Sequence, residues 1–181
     1  MNTTIHAWRR NGAKTGDLKY ILVEPLRHTS YVRPTAGGWL CFDGKEIEVT
    51  PFANKWLSII PADKSRGTAI FLVVALAYCC DGASCAPDLE CVMDGTFVHD
   101  PVYQFAEEIA AAWGCGVAAV LRWGDALFSE VMLHRHTPKV IRVAYYVPVS
   151  LAGYPYNRAL HWWHGRKPQD GTQGPPAIAG G

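Results

Sequence analysis

The sequence predicts an α+β chain, with a small antiparallel β portion followed by a helical C-terminal half. Three observations predict it. Residues 20–80 hold β-branched and aromatic runs separated by turn dipeptides. From Pro101 onward, apolar residues recur at helical spacing instead. A Gly-Cys-Gly break at 114–116 then splits the helical half, so that successive helices can fold back on one another.

Taken in order, residues 1–19 are a polar lead-in without the apolar stretch of a secretory leader. "KYILVEPL" and "GGWLCFDGKEIEVTPF" are strand-forming, and Asp43-Gly44 supplies the turn of a hairpin. The apolar run Ala69–Cys80 is too short to span a bilayer and predicts a buried strand. Residues 81–98, rich in Asp, Gly, Ser and Pro, predict a loop. Asp100 then reads as an N-cap and Pro101 as the first helical position. Tyr103, Ala106, Ile109, Ala110 and Trp113 share one face of that helix. A second helix is predicted over 117–134, with Leu121, Leu127, Phe128, Val131 and Met132 in the core. Gly124 weakens this helix unless something packs closely against it. A third helix is predicted over 138–151, and "YNRALHWWHG" as a short fourth. The Gly/Pro-rich tail 166–181 needs a partner to order it. One domain, 20–165, is therefore expected between lead-in and tail.

Composition excludes some functions. The chain has 17 basic and 16 acidic residues, so nothing in its net charge of +1 points to nucleic acid. No nucleophile elbow surrounds Ser30, Ser58 or Ser150, and no glycine-rich phosphate loop is present. Four of six cysteines fall in "CCDGASCAPDLEC" at spacings irregular for zinc. Buried thiols are the first expectation, disulfides the second and a metal site the third.

The chemistry concentrates in "FVHDPVYQFAEE", residues 97–108. About fourteen residues of helix run from Asp100 to the break, roughly 20 Å. Returning along an antiparallel second helix brings Asp125 back toward His99. A carboxylate on one imidazole nitrogen sets the tautomer, leaving the other nitrogen to act as a base on water. Asp100 is expected to turn toward the preceding loop, where Asp81, Ser84, Asp88, Asp94 and backbone carbonyls supply hard oxygen ligands. Such a set suits calcium, which polarises a carbonyl. The plainer readings stand beside this one: a capping aspartate at 100, an Asp125 solvated or paired with Arg122, and a core Tyr103. His134 and His136 form a His-x-His that suits zinc, and with it a metal-dependent cell-wall peptidase or amidase. As an alternative, histidines in a last helical turn answer the helix dipole. "HWWHG", with Tyr154 and Tyr156 before it, fits a core or subunit contact, a membrane interface or a sugar-stacking surface.

Residues 81–132 resemble a family of uncharacterised phage and prophage proteins whose pattern is "TD-x-AS-x-P", then "HD-x-x-Y", then "AD-x-x-F-x-x-x-M". Here these read "CDGASCAP", "HDPVY" and "GDALFSEVM", with Cys80 for the threonine and Gly124 for the alanine. His-Asp-x-x-Tyr followed by a helical aspartate is also similar to phospholipase A2. That resemblance implies His99 as the base on water, Asp125 as its orienter, Asp100 as a calcium ligand and Tyr103 as a brace. The glycine-rich Tyr-x-Gly-x-Gly calcium loop of that family is replaced by "DGAS". The expectation is a phage-encoded hydrolase, with a phospholipid ester the first substrate and cell-wall amide the second. The alternative is a non-enzymatic virion or assembly component, held to other virion proteins by its aromatic surface and tail. Synthesis in the host cytoplasm goes with either.

Overall fold

A computed structural model of the chain describes residues 7–9, 20–22, 24–30, 39–40, 46–61, 70–80, 87 and 89–164. For 7–9, 39–40, 46 and 152–164 only the backbone is described. The fold is α+β, with antiparallel strands in the N-terminal half and four helices in the C-terminal half.

The strands are β1 (Ala7–Arg9), β2 (Tyr20–Leu22), β3 (Leu26–Ser30), β4 (Trp39–Leu40), β5 (Glu46–Ile47), β6 (Phe52–Ala53), β7 (Leu57–Pro61), β8 (Ile70–Val74) and β9 (Cys79–Cys80). They pair as a four-stranded sheet in the order β3-β8-β7-β6, a three-stranded sheet β1-β2-β9, and the hairpin β4-β5. That hairpin is the one predicted around Asp43-Gly44, with Trp39 opposite Ile47; the turn itself lies outside the described residues. The predicted strand over 69–80 is instead two strands, because the chain turns at 75–78 with Ala77 at φ 65°. The β6–β7 turn is closed by Asn54, whose Oδ1 accepts from the Trp56 and Leu57 amides at 2.8 Å each.

Period-two alternation sets the buried face of the large sheet. Leu26, Leu57, Ile59, Ile70, Leu72 and Val74 are buried, while Ile60 and Phe71 face outward and are exposed. The register places Ile59 opposite Leu72 and Leu26 opposite Val74. The helices cover the buried face, and strand and helix residues form one continuous core.

The helices are α1 (Glu90–Gln104), α2 (Ala106–Trp113), α3 (Val117–His134) and α4 (Lys139–His164). The start of α1 corrects the predicted loop, since residues 90–98 are helical. Asp100 is therefore not an N-cap but lies well inside α1, and Pro101 sits in the helix interior. The physical reason is burial. Every residue from Val92 to Val98 is buried, including Asp94, Gly95 and Thr96, so α1 lacks the polar face that makes a helix legible. Pro101 cannot donate to the Phe97 carbonyl, and the helix breaks soon after at Phe105. The face predicted from Tyr103 to Trp113 is thus shared by two helices, with Ala106, Ile109, Ala110 and Trp113 buried.

Gly114 ends α2 as predicted. Its φ of 64° is left-handed, and the Cys115 amide reaches back to the Ala110 carbonyl at 3.0 Å. The second helix spans the predicted 117–134, and all five expected core residues are buried. The predicted third and fourth helices are one continuous α4, in which Pro148 and Pro155 are tolerated. Thr137 and Pro138 precede it, as a helix start favours. Cys79, Cys80, Cys91 and Cys115 occur as thiols, and Cys80 is the fully buried one. Cys41 and Cys85 lie outside the described residues.

Candidate active site between the first and third helices

α1 and α3 run antiparallel in close contact. Going down α1, residues 103, 99, 95 and 94 meet residues 124, 125, 128 and 135 of α3. The approach is close because two glycines allow it. A Cβ on Gly95 falls 2.7 Å from the Phe128 ring, and one on Gly124 falls 3.1 Å from Val102 and 3.2 Å from the Tyr103 ring. The close packing that Gly124 calls for is therefore provided by α1.

This packing assembles the predicted constellation. His99 Nε2 lies 3.3 Å from Asp125 Oδ1, and the Tyr103 hydroxyl donates to the same oxygen at 2.5 Å. The Tyr103 ring lies against the imidazole, with centroids 4.0 Å apart, and Phe128 closes on it at 5.5 Å. Asp125 is buried, not solvated, and its site partners are His99 and Tyr103. Its placement beside His99 follows from the antiparallel return predicted from the sequence.

Asp100 does not turn away from His99. Its Oδ1 lies 3.2 Å from His99 Nδ1, so each ring nitrogen faces a carboxylate. Burial alone disfavours the imidazolium, but hydrogen bonds to Asp100 and Asp125 outweigh it and raise the His99 pKa. The protonated ring donates to both carboxylates. The neutral ring donates to one only, and its other lone pair then faces an anionic oxygen. Asp100, a quarter exposed, is the more accessible of the two carboxylates. Burial and the Asp125 hydrogen bond both raise the Tyr103 pKa, so the phenol stays a donor.

Among the other predicted site residues, Asp81 and Ser84 lie outside the described residues. His134 ends α3, and its ring centroid is 5.5 Å from that of His28; His136 lies beyond the helix at φ 56°. Among the described residues, no three His, Cys, Asp or Glu side chains converge as a metal site. Asp94 pairs with Arg135. His161, Trp162, Trp163 and His164 form the end of α4.

A second polar group was missed. Glu130 on α3 accepts from Ser30 Oγ at 2.7 Å and lies 3.2 Å from His28 Nε2, both on β3. His28 and Ser30 are two apart in a strand and so share a face, which is the signal that could have found them. Both converge on one carboxylate and tie the sheet to the helix layer.

No family model, curated protein or solved structure matches this chain.

Proposed function

We propose that the chain is a small phage-encoded hydrolase in which His99 activates water, Asp125 orients His99 and Tyr103 braces Asp125. The observation that carries the reading is the convergence of His99 Nε2 and the Tyr103 hydroxyl on one buried oxygen of Asp125. That convergence leaves Nδ1 facing Asp100, the more exposed of the two carboxylates. In this geometry Asp125 takes the Nε2 proton's hydrogen bond and stabilises the imidazolium formed as Nδ1 gains a proton from water. The resemblance to phospholipase A2 makes a phospholipid ester the leading substrate. It also makes calcium the leading cation, with Asp100 as the ligand that the resemblance implies. A cation bound there would polarise the ester carbonyl. Phage origin, synthesis in the host cytoplasm and any virion association rest on the sequence pattern alone.

The test is fatty-acid release from phospholipid vesicles by the full chain, with and without calcium. We expect His99→Ala and Asp125→Asn to lower release by about 10²–10⁴-fold, and chelation of calcium to lower it as well. Release that is equal in wild type and both variants sinks the catalytic assignment.

A second reading is favoured by one observation: both His99 nitrogens already face carboxylates, and its side chain is only 14% exposed. In that reading the cluster is a polar lock between two helices of a non-enzymatic assembly component. Loss of stability in His99→Ala, with no hydrolysis by wild type of either ester or cell-wall amide, selects it.

A further inference from the structure

Helix α4 has two apolar faces and needs only one for the core. Ile141, Tyr145 and Val149 turn inward and join Val92, Phe128 and Met132. The Tyr145 hydroxyl also bonds the Pro87 carbonyl. On the opposite side, Val140, Val143, Val147 and Leu151 recur at spacings of three and four and are exposed, Val140 to 80% and Leu151 to 74%. An ordinary surface helix is polar there, and a contiguous apolar stripe of this kind marks an interaction surface.

The charge around the stripe says what it meets. Residues 131–169 contain six of the chain's 17 lysines and arginines and none of its 16 acidic residues. This stretch therefore carries +6, and the rest of the chain carries −5. Arg135 is paired with Asp94, but Lys139 at the start of the stripe is exposed. The same helix holds Tyr154, Tyr156, Trp162 and Trp163, residue types favoured where one end of a side chain is apolar and the other wet. No helix among the described residues is long and apolar enough to cross a membrane. A helix with an exposed apolar stripe, excess cations and terminal tryptophans is suited to lie along a bilayer instead.

We infer that α4 is a docking surface for anionic phospholipid bilayers, with Val140, Val143, Val147 and Leu151 entering the interface and the exposed Lys139 beside them meeting the headgroups. The inference extends the proposed reaction but does not depend on it, because binding is read without turnover.

The experiment is co-sedimentation of the full wild-type chain, in the presence of a calcium chelator, with vesicles of phosphatidylglycerol and phosphatidylcholine, against phosphatidylcholine alone. Binding is expected to be about tenfold or more stronger on the anionic vesicles and weaker in high salt. The tryptophan emission should shift to the blue on binding. A Val140→Asp, Val147→Asp, Leu151→Asp variant changes exposed positions only. It should keep the circular dichroism of the parent and lose most of the binding. Failure to bind anionic vesicles overturns the inference, as does undiminished binding by the folded triple variant. A dimer in sedimentation equilibrium that the triple variant dissolves, without vesicle binding, assigns the stripe to a second copy of the chain and overturns it too.

Discussion

At the scale of single residues, the site depends on how few groups share one oxygen. Asp125 receives both His99 and Tyr103, so removing the phenol leaves a buried carboxylate short of a donor. Tyr103→Phe is expected to cost about 1.5–3 kcal/mol of stability, the range for a hydrogen bond to a charged group. In the proposed reaction it lowers kcat with little change in KM, because Tyr103 acts through Asp125 rather than on substrate. Denaturant melts and steady-state kinetics check the two halves separately. Asp94 gives a prediction in pH. Burial pushes its carboxyl up to about 6 despite Arg135, above the unfolded value of 3.8. A raised carboxylate pKa favours folding while the group is protonated. Its contribution is full below the unfolded value and is lost as pH rises through about 6. Wild-type stability relative to Asp94→Asn should therefore fall between about pH 3.5 and about pH 7, the span bracketing 3.8 and about 6. A constant difference across that span refutes it. The His99, Asp125 and Tyr103 cluster was legible in the sequence because residue type and helical return distance suffice to place it. The partner at Nδ1 was not, since the side Asp100 takes depends on α1 starting at Glu90 rather than at Pro101.

At the scale of elements, the misread start of α1 and the correct reading of α3 share one cause. Periodicity reports a helix only when one face meets water. α3 keeps Arg122 and Leu133 exposed against a buried row, whereas α1 is enclosed from Val92 to Val98 and shows no alternation. Its glycine and threonine then read as loop residues, although Gly95 is there to admit Phe128. The two interhelical glycines predict opposite outcomes on substitution. Gly95→Ala drives a methyl into the Phe128 ring and within 3.3 Å of its carbonyl oxygen. Overpacking of this kind costs about 1–3 kcal/mol. Gly124→Ala meets only a valine methyl and a tyrosine edge, each able to yield by tenths of an ångström. The gain in helix propensity, about 1 kcal/mol, offsets that contact. Urea melts should thus rank Gly95→Ala well below wild type and Gly124→Ala close to it. Alanine is also the residue that the resembled phage pattern carries at the second position.

At the scale of the whole molecule, hydrogen bonds at three places among the described residues join the N-terminal half to the helices. Glu130 on α3 holds His28 and Ser30 of β3. Trp113 Nε1 donates to the Thr50 carbonyl at 2.9 Å, and Thr50 Oγ1 returns a bond to the Ala112 carbonyl. The Tyr78 hydroxyl bonds Gln104 at 3.0 Å. With one apolar core running through both halves, neither has a buried face complete without the other. Two-state unfolding follows, in which β8 and α3 open together. Hydrogen exchange should give peptides covering 70–74 and 120–132 the same limiting free energy. Glu130→Ala removes the acceptor that Ser30, itself fully buried, uses. It should lower both limiting values by the same amount, about 1–3 kcal/mol. Faster exchange confined to α3 would mean that the helical half folds without the sheet. The His99 cluster, lying between α1 and α3, would then belong to a separable helical unit rather than to a scaffold held by the whole chain.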